Sequence, residues 1–138
     1  MRRAACLFLL AVLVVGGMRA QDDLRRPVPM TETEAQQWYT AYNNEYFDGK
    51  LPFVAIHFVR RLTDEKGAPL MGLTEGTPPN IYLTATYQDN RSISLETLLH
   101  EMSHLACTGQ DSGLDQHHGC WLRTMHHLVD EGAMDDLL

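Results

Sequence analysis

The chain has 138 residues, room for one domain with a real core, and a formal charge of −7 from 18 acidic and 11 basic residues. Apolar residues are spread along it, with no long polar tract and no internal repeat, which speaks against a disordered chain or a repeat array. The acidic balance and the lack of a basic cluster in the body of the chain speak against nucleic acid or an anionic membrane surface as main partner.

Residues 1–20 read as a signal peptide. Met1-Arg2-Arg3 is a positive start, Ala4 to Val15 is an unbroken apolar run, and Met18-Arg19-Ala20 offers a cleavage site before Gln21. The run is shorter than the roughly 20 residues of a membrane span, so an uncleaved anchor is the rival reading and no stable span is expected after cleavage. The expected location is exported, periplasmic or secreted. Removal of the leader takes Arg2, Arg3, Arg19 and Cys6, leaving eight basic against 18 acidic residues, a formal charge of −10. Two cysteines remain, Cys107 and Cys120, and an even count in an oxidising compartment suggests a disulfide, with geometry to decide.

Residues 21–30, with Pro27 and Pro29, read as an exposed lead-in to a domain over 31–138. Thr31 or Thr33 caps a first helix, with Glu32 and Glu34 suited to its first turn. Its stripe of Ala35, Trp38, Tyr39, Tyr42, Tyr46 and Phe47 reads as core packing, and Asp48-Gly49 ends it. Phe53 to Val59 is β-branched and aromatic and predicts a strand, in which His57 is an ordinary strand histidine. A loop from Thr63 to Pro69 precedes a second strand over Leu70 to Thr74. The turn Glu75 to Asn80 follows, then a third strand over Ile81 to Tyr87.

Leu95, Leu98, Leu99, Met102, Leu105 and Ala106 recur at helical spacing behind Ser94 as N-cap, which predicts a central helix. Thr108 to Gln116 is a polar loop. A last helix begins near His118, carries Trp121, Leu122, Met125, Leu128 and Val129, and stops at Gly132 before Asp135 and Asp136. His126 and His127 within it read as surface or packing histidines. The pattern is α+β: a small three-stranded, antiparallel or mixed sheet packed with an N-terminal, a central and a C-terminal helix.

The central helix carries the chemistry, His100-Glu101-Met102-Ser103-His104. Histidines at i and i+4 project from one helix face close enough to share a metal ion, opposite the apolar side. Zinc suits neutral imidazole nitrogen, and a catalytic site keeps three protein ligands and an open position. Glu101 beside the first histidine is then placed as general base. The third ligand has to come from elsewhere, and His117 and His118 at the start of the last helix are both candidates. Cys107 stands where the short metzincin pattern wants glycine, and downstream only the distant Glu131 offers a thermolysin-like carboxylate.

Tyr42-Asn43 with Tyr46-Phe47-Asp48-Gly49-Lys50-Leu51-Pro52, the strand Phe53 to Val59, the Gly72 region, Ile81-Tyr82-Leu83-Thr84, Leu98 to His104, and His118-Gly119 with Trp121 together resemble the SprT-like zinc metallopeptidase domain. The resemblance spans most of the chain after residue 20. It implies a zincin-like minimal fold, a Zn2+ cofactor, His100, His104 and His118 as ligands, Glu101 as general base, and a protein or peptide substrate. His118 is preferred to His117 here because glycine follows it. The best-known family members act inside cells on DNA-attached proteins, aided by basic or zinc-ribbon segments. This chain has neither, so the fold and the zinc chemistry are expected to transfer without the DNA-linked role. Tyr82, Tyr87, Arg123 and His117 are open candidates for an oxyanion donor.

Two readings compete. Cys107 or Cys120 as a fourth ligand would close the site into a non-catalytic zinc-stabilised binding module. Alternatively, an enzyme-like fold without a substrate cleft would serve binding alone.

Overall fold

The computed structural model describes residues 27–110, 117–135 and 137. The leader 1–20, the first part of the lead-in (21–26), most of the polar loop (111–116) and Asp136 lie outside the described residues. Helix α1 spans Glu32–Tyr46, β1 Ile56–Val59, β2 Gly72–Glu75 and β3 Asn80–Thr84; a 3-10 turn covers Ala85–Tyr87, α2 spans Arg91–Ala106 and α3 spans Gly119–Asp130. This is a small α+β domain with a mixed sheet. Among the described residues no helix is long and apolar enough to cross a membrane.

Thr31 is the cap of α1, its hydroxyl accepting from Glu34 N at 3.1 Å. Ala35, Tyr39 and Tyr42 are buried, and Trp38, Tyr46 and Phe47 pack against the core, so the aromatic stripe is packing. Asp48 and Gly49 take positive φ of 55° and 67° past the helix end, the region glycine favours. Asn43 clamps this turn: its Nδ2 donates to Leu51 O at 3.0 Å and its Oδ1 accepts from Leu51 N at 3.1 Å. The lead-in is exposed at Pro27, Val28 and Pro29, but Met30 is buried. Its N–H donates to Gln88 O at 2.8 Å, and Gln88 Nε2 donates back to Met30 O at 2.7 Å.

The sheet has the order β1-β3-β2, with β1 parallel and β2 antiparallel to β3. Register rows Ile56, Ile81, Thr74 and Phe58, Leu83, Gly72 put these residues on one face. His57 and Tyr82 share the other face with ring centroids 5.6 Å apart, and Glu32 lies 3.6 Å from His57 Nδ1.

All three strands are shorter than the sequence pattern predicts, β2 starting at Gly72 rather than Leu70 and ending at Glu75. β1 starts at Ile56 because its pairing with β3 begins at Ile81; Phe53, before it, is 80 % exposed. β3 ends at Thr84, whose hydroxyl accepts from Thr86 N and turns the chain into the 3-10 turn. The core beneath the sheet holds Val54, Ile81, Leu83, Leu98, Leu99, Met102 and Leu128, and full burial of one such side chain contributes about 1.5–3 kcal/mol.

Candidate metal centre

Asn90, not Ser94, caps α2: its side chain accepts from Ile93 N at 3.2 Å. Ser94 lies inside the helix, buried, and its hydroxyl donates to Tyr87 O at 3.1 Å. The Arg91 guanidinium donates to the Glu34 carboxylate and ties the start of α2 to α1. Leu95, Leu98, Leu99, Met102 and Leu105 are buried against the sheet and the other helices. That fixes the rotation of the helix, so His100 and His104 emerge together, both half-buried.

The third member of the cluster is His117. Its Nε2 lies 3.1 Å from His100 Nε2 and 3.1 Å from His104 Nε2, and those two are 3.2 Å apart. Among the described residues these three form the one group of histidine, cysteine or acidic side chains able to hold a metal ion. His118, the sequence choice, is not in it: in extended conformation it is the N-cap of α3, one residue past the cluster. His57, His126 and His127 also stand outside it, and Tyr82 faces His57 rather than the cluster.

The donor set fits a metal ion. An imidazole in its neutral form offers one ring nitrogen lone pair, and three Nε2 atoms facing one another are the donors that a single metal ion would take. Tetrahedral zinc with bonds of 2.0–2.1 Å needs nitrogens about 3.3–3.4 Å apart, close to the spacing found. Burial, with His104 and His117 beside it, pushes the His100 pKa down to about 4, so its imidazole is neutral at pH 7. His117 is exposed, leaving the cluster open on one side.

Glu101 is 4 % exposed and sits against β2. Thr74 Oγ1 donates to its Oε2 at 2.8 Å, while Oε1 makes no hydrogen bond among the described residues. Burial pushes its pKa up to about 7, with the Thr74 hydrogen bond pulling the other way. Gly72 makes room for it. A Cβ there would lie 2.6 Å from Glu101 Oε1 and 2.8 Å from both Glu101 Cγ and Thr97 Cγ2. Sequence reasoning marked the Gly72 region only by resemblance, although a glycine in a strand is itself a signal of close approach. Thr74 carried no signal.

Trp121 is the other residue missed as part of the site. Its ring packs on His100, His104 and His117 with centroids 4.8, 5.7 and 4.7 Å apart, and its Nε1 donates to His100 O at 3.4 Å. Beside it Cys120 is bonded to Cys107, with Cα atoms 5.7 Å apart, joining the last residue cap of α2 to the first turn of α3. A bridge closing a loop of this size contributes about 3 kcal/mol. Each sulfur is bonded to the other, so neither cysteine is a thiolate ligand and the His/Cys closed site is not the one formed.

Three imidazoles that could hold a metal ion, two of them on a helix that also carries a buried carboxylate, stand on a small α+β domain with a mixed sheet. The family model described as SprT-like matches residues 35–134, and the chain belongs to that family. Comparison with curated proteins and with solved structures gives no match.

Proposed function

We propose that the chain is a zinc-dependent peptidase that works outside the cytoplasm, with His100, His104 and His117 as ligands and Glu101 as general base. The observation that carries this is the Nε2 triangle of 3.1–3.2 Å next to a carboxylate whose pKa is pushed up to about 7. Membership of the SprT-like family supports it. Export rests on the apolar leader and is supported by the Cys107–Cys120 bond, which belongs to oxidising compartments.

Zinc held by three imidazoles would supply Lewis acidity toward a peptide carbonyl and toward water. The protein's own residues do the rest. Thr74 holds Glu101 Oε2, which leaves Oε1 to take the proton from water and deliver it to the leaving amine. Burial makes this carboxylate a stronger base than an exposed one, which favours its accepting the proton. Trp121 excludes water from one side of the imidazoles and fixes their tilt. β2 is an edge strand of the sheet and lies against Glu101, so an extended peptide added to that edge would run beside the base.

The test is hydrolysis of an unfolded protein substrate by zinc-loaded wild type and Glu101→Gln. Turnover by the wild type alone, with equal zinc in both, is the expected result. Turnover retained in a clean Glu101→Gln preparation would overturn the role of Glu101, and none in a zinc-loaded wild type would favour a binding module.

A further inference from the structure

Two closures of equal length meet at the metal centre. His104 and His117 are thirteen residues apart, and so are Cys107 and Cys120. Each cysteine follows its histidine by three residues, Cys107 capping the helix that carries His104 and Cys120 in the first turn of the helix that His117 precedes. The segment between, Thr108 to His118, is polar and holds two glycines and a single large apolar residue, Leu114.

His118 makes no side-chain cap to the helix, and Leu128, near the far end, is the one fully buried residue of α3. At the head itself, the tethers include the disulfide, the Trp121 indole on His100 O, and Thr124 Oγ1, which donates to Cys120 O at 3.0 Å and lies 3.6 Å from Cys107 Sγ. Cys107 is buried in the cap of α2, a fixed point on the same helix as His100 and His104. Once the sulfur bond closes the loop, bringing His117 to the pair requires no further long-range closure.

We propose that the Cys107–Cys120 disulfide is the positioning element of the third histidine, so that the cluster's affinity for a divalent metal depends on thiol oxidation. This rests on the metal reading given above. Reduction by a small thiol such as glutathione would proceed by attack on the half-buried Cys120 sulfur, releasing Cys107 as a thiolate that takes up a proton. A second thiol then resolves the mixed disulfide, so two glutathione thiols become one glutathione disulfide and supply both electrons and both protons. The metal site therefore assembles fully in an oxidising compartment and loosens in a reducing one.

The first experiment titrates Co2+, without a histidine tag, into oxidised wild type and Cys107→Ala/Cys120→Ala, with far-UV circular dichroism on both. The expected result is retained helix content and a 10–100-fold weaker affinity in the variant, the range for groups that orient metal ligands. Equal affinity would overturn the proposal and leave the bond a simple fold crosslink. No Co2+ binding by the oxidised wild type would overturn the metal reading itself.

Reciprocity gives a second measurement that needs no cysteine variant. Metal-free and Zn2+-saturated wild type are equilibrated in glutathione buffers, and the disulfide fraction is read by alkylation and mass. Zinc should favour the disulfide at least tenfold, about 30 mV, and His117→Ala should abolish that shift. No shift would overturn the proposal. So would a reversed shift with thiolate-to-metal charge-transfer absorption in Co2+-loaded reduced protein, which would mark the cysteines as ligands.

Discussion

His100 and His104 stand on a helix whose other side carries Leu98, Leu99 and Met102, each 0 % exposed, whereas His117 stands at the exposed head of a helix with one fully buried residue. The first pair is placed by core packing, since rotating α2 would expose those side chains. The third histidine lies against the Trp121 indole, three residues ahead of a crosslinked cysteine. The difference teaches that a very small domain can place two histidines of such a cluster by its core and the last beside a local crosslink. Glu101 belongs with the packed half: Gly72 and Thr74 hold it from β2.

The largest expected effect strikes the packed half. Glu101→Gln should reduce peptide hydrolysis by about 10²–10⁴-fold, the usual contribution of a general base, with zinc content unchanged by mass spectrometry. Gly72→Ala should come next. Its methyl group would press on Glu101 and Thr97, lowering kcat by about 100-fold through a misplaced base. The same overpacking should cost about 1–3 kcal/mol in urea unfolding. Wild-type kcat in that variant would mean the carboxylate can work from elsewhere.

Stability alone separates the two helices. Leu99→Ala removes a fully buried side chain and should cost about 2–5 kcal/mol, whereas Leu122→Ala on α3, 40 % exposed, should stay within about 0.5 kcal/mol. Similar losses at both positions in urea unfolding would erase the contrast.

The smallest effect is in the pH dependence of the metal-free protein. Glu101 is raised from 4.5 to about 7 in the fold, so its contribution is fully present below pH 4.5 and is lost as pH rises toward 7. His100 is lowered from 6.5 to about 4, so its contribution is present above pH 6.5 and is lost as pH falls toward 4. The two slopes oppose each other between pH 4.5 and 6.5. Glu101→Gln should therefore uncover a stability that rises with pH across that window in urea titrations, and an unchanged profile would contradict the assigned burial.

Much of this was legible in the residues. The helical repeat behind His100 and His104, the aromatic stripe of α1 and the presence of three short strands follow local rules of spacing and composition, whereas the parallel pairing of β1 with β3 and the Cys107–Cys120 bond needed the tertiary geometry. The choice between His117 and His118 did not. The two are adjacent at a helix start, and which one reaches the cluster depends on how the chain enters α3, a tertiary matter that spacing does not encode. The glycine after His118 opens the helix, where Gly119 has φ 55°, and in the structure it is His117 that joins the cluster. Thr84 likewise ended a strand that its apolar pattern would have carried on to Tyr87. Thr74 and Trp121 act through contacts across elements, invisible to any window along the chain.

The most direct measurement is the Zn2+ affinity of wild type, His117→Ala and His118→Ala by competition with a chromophoric chelator. The three-histidine account predicts about one zinc per chain in wild type and His118→Ala with similar affinity, and a loss of about 100-fold or more in His117→Ala. Tight binding by His117→Ala with loss in His118→Ala would contradict it.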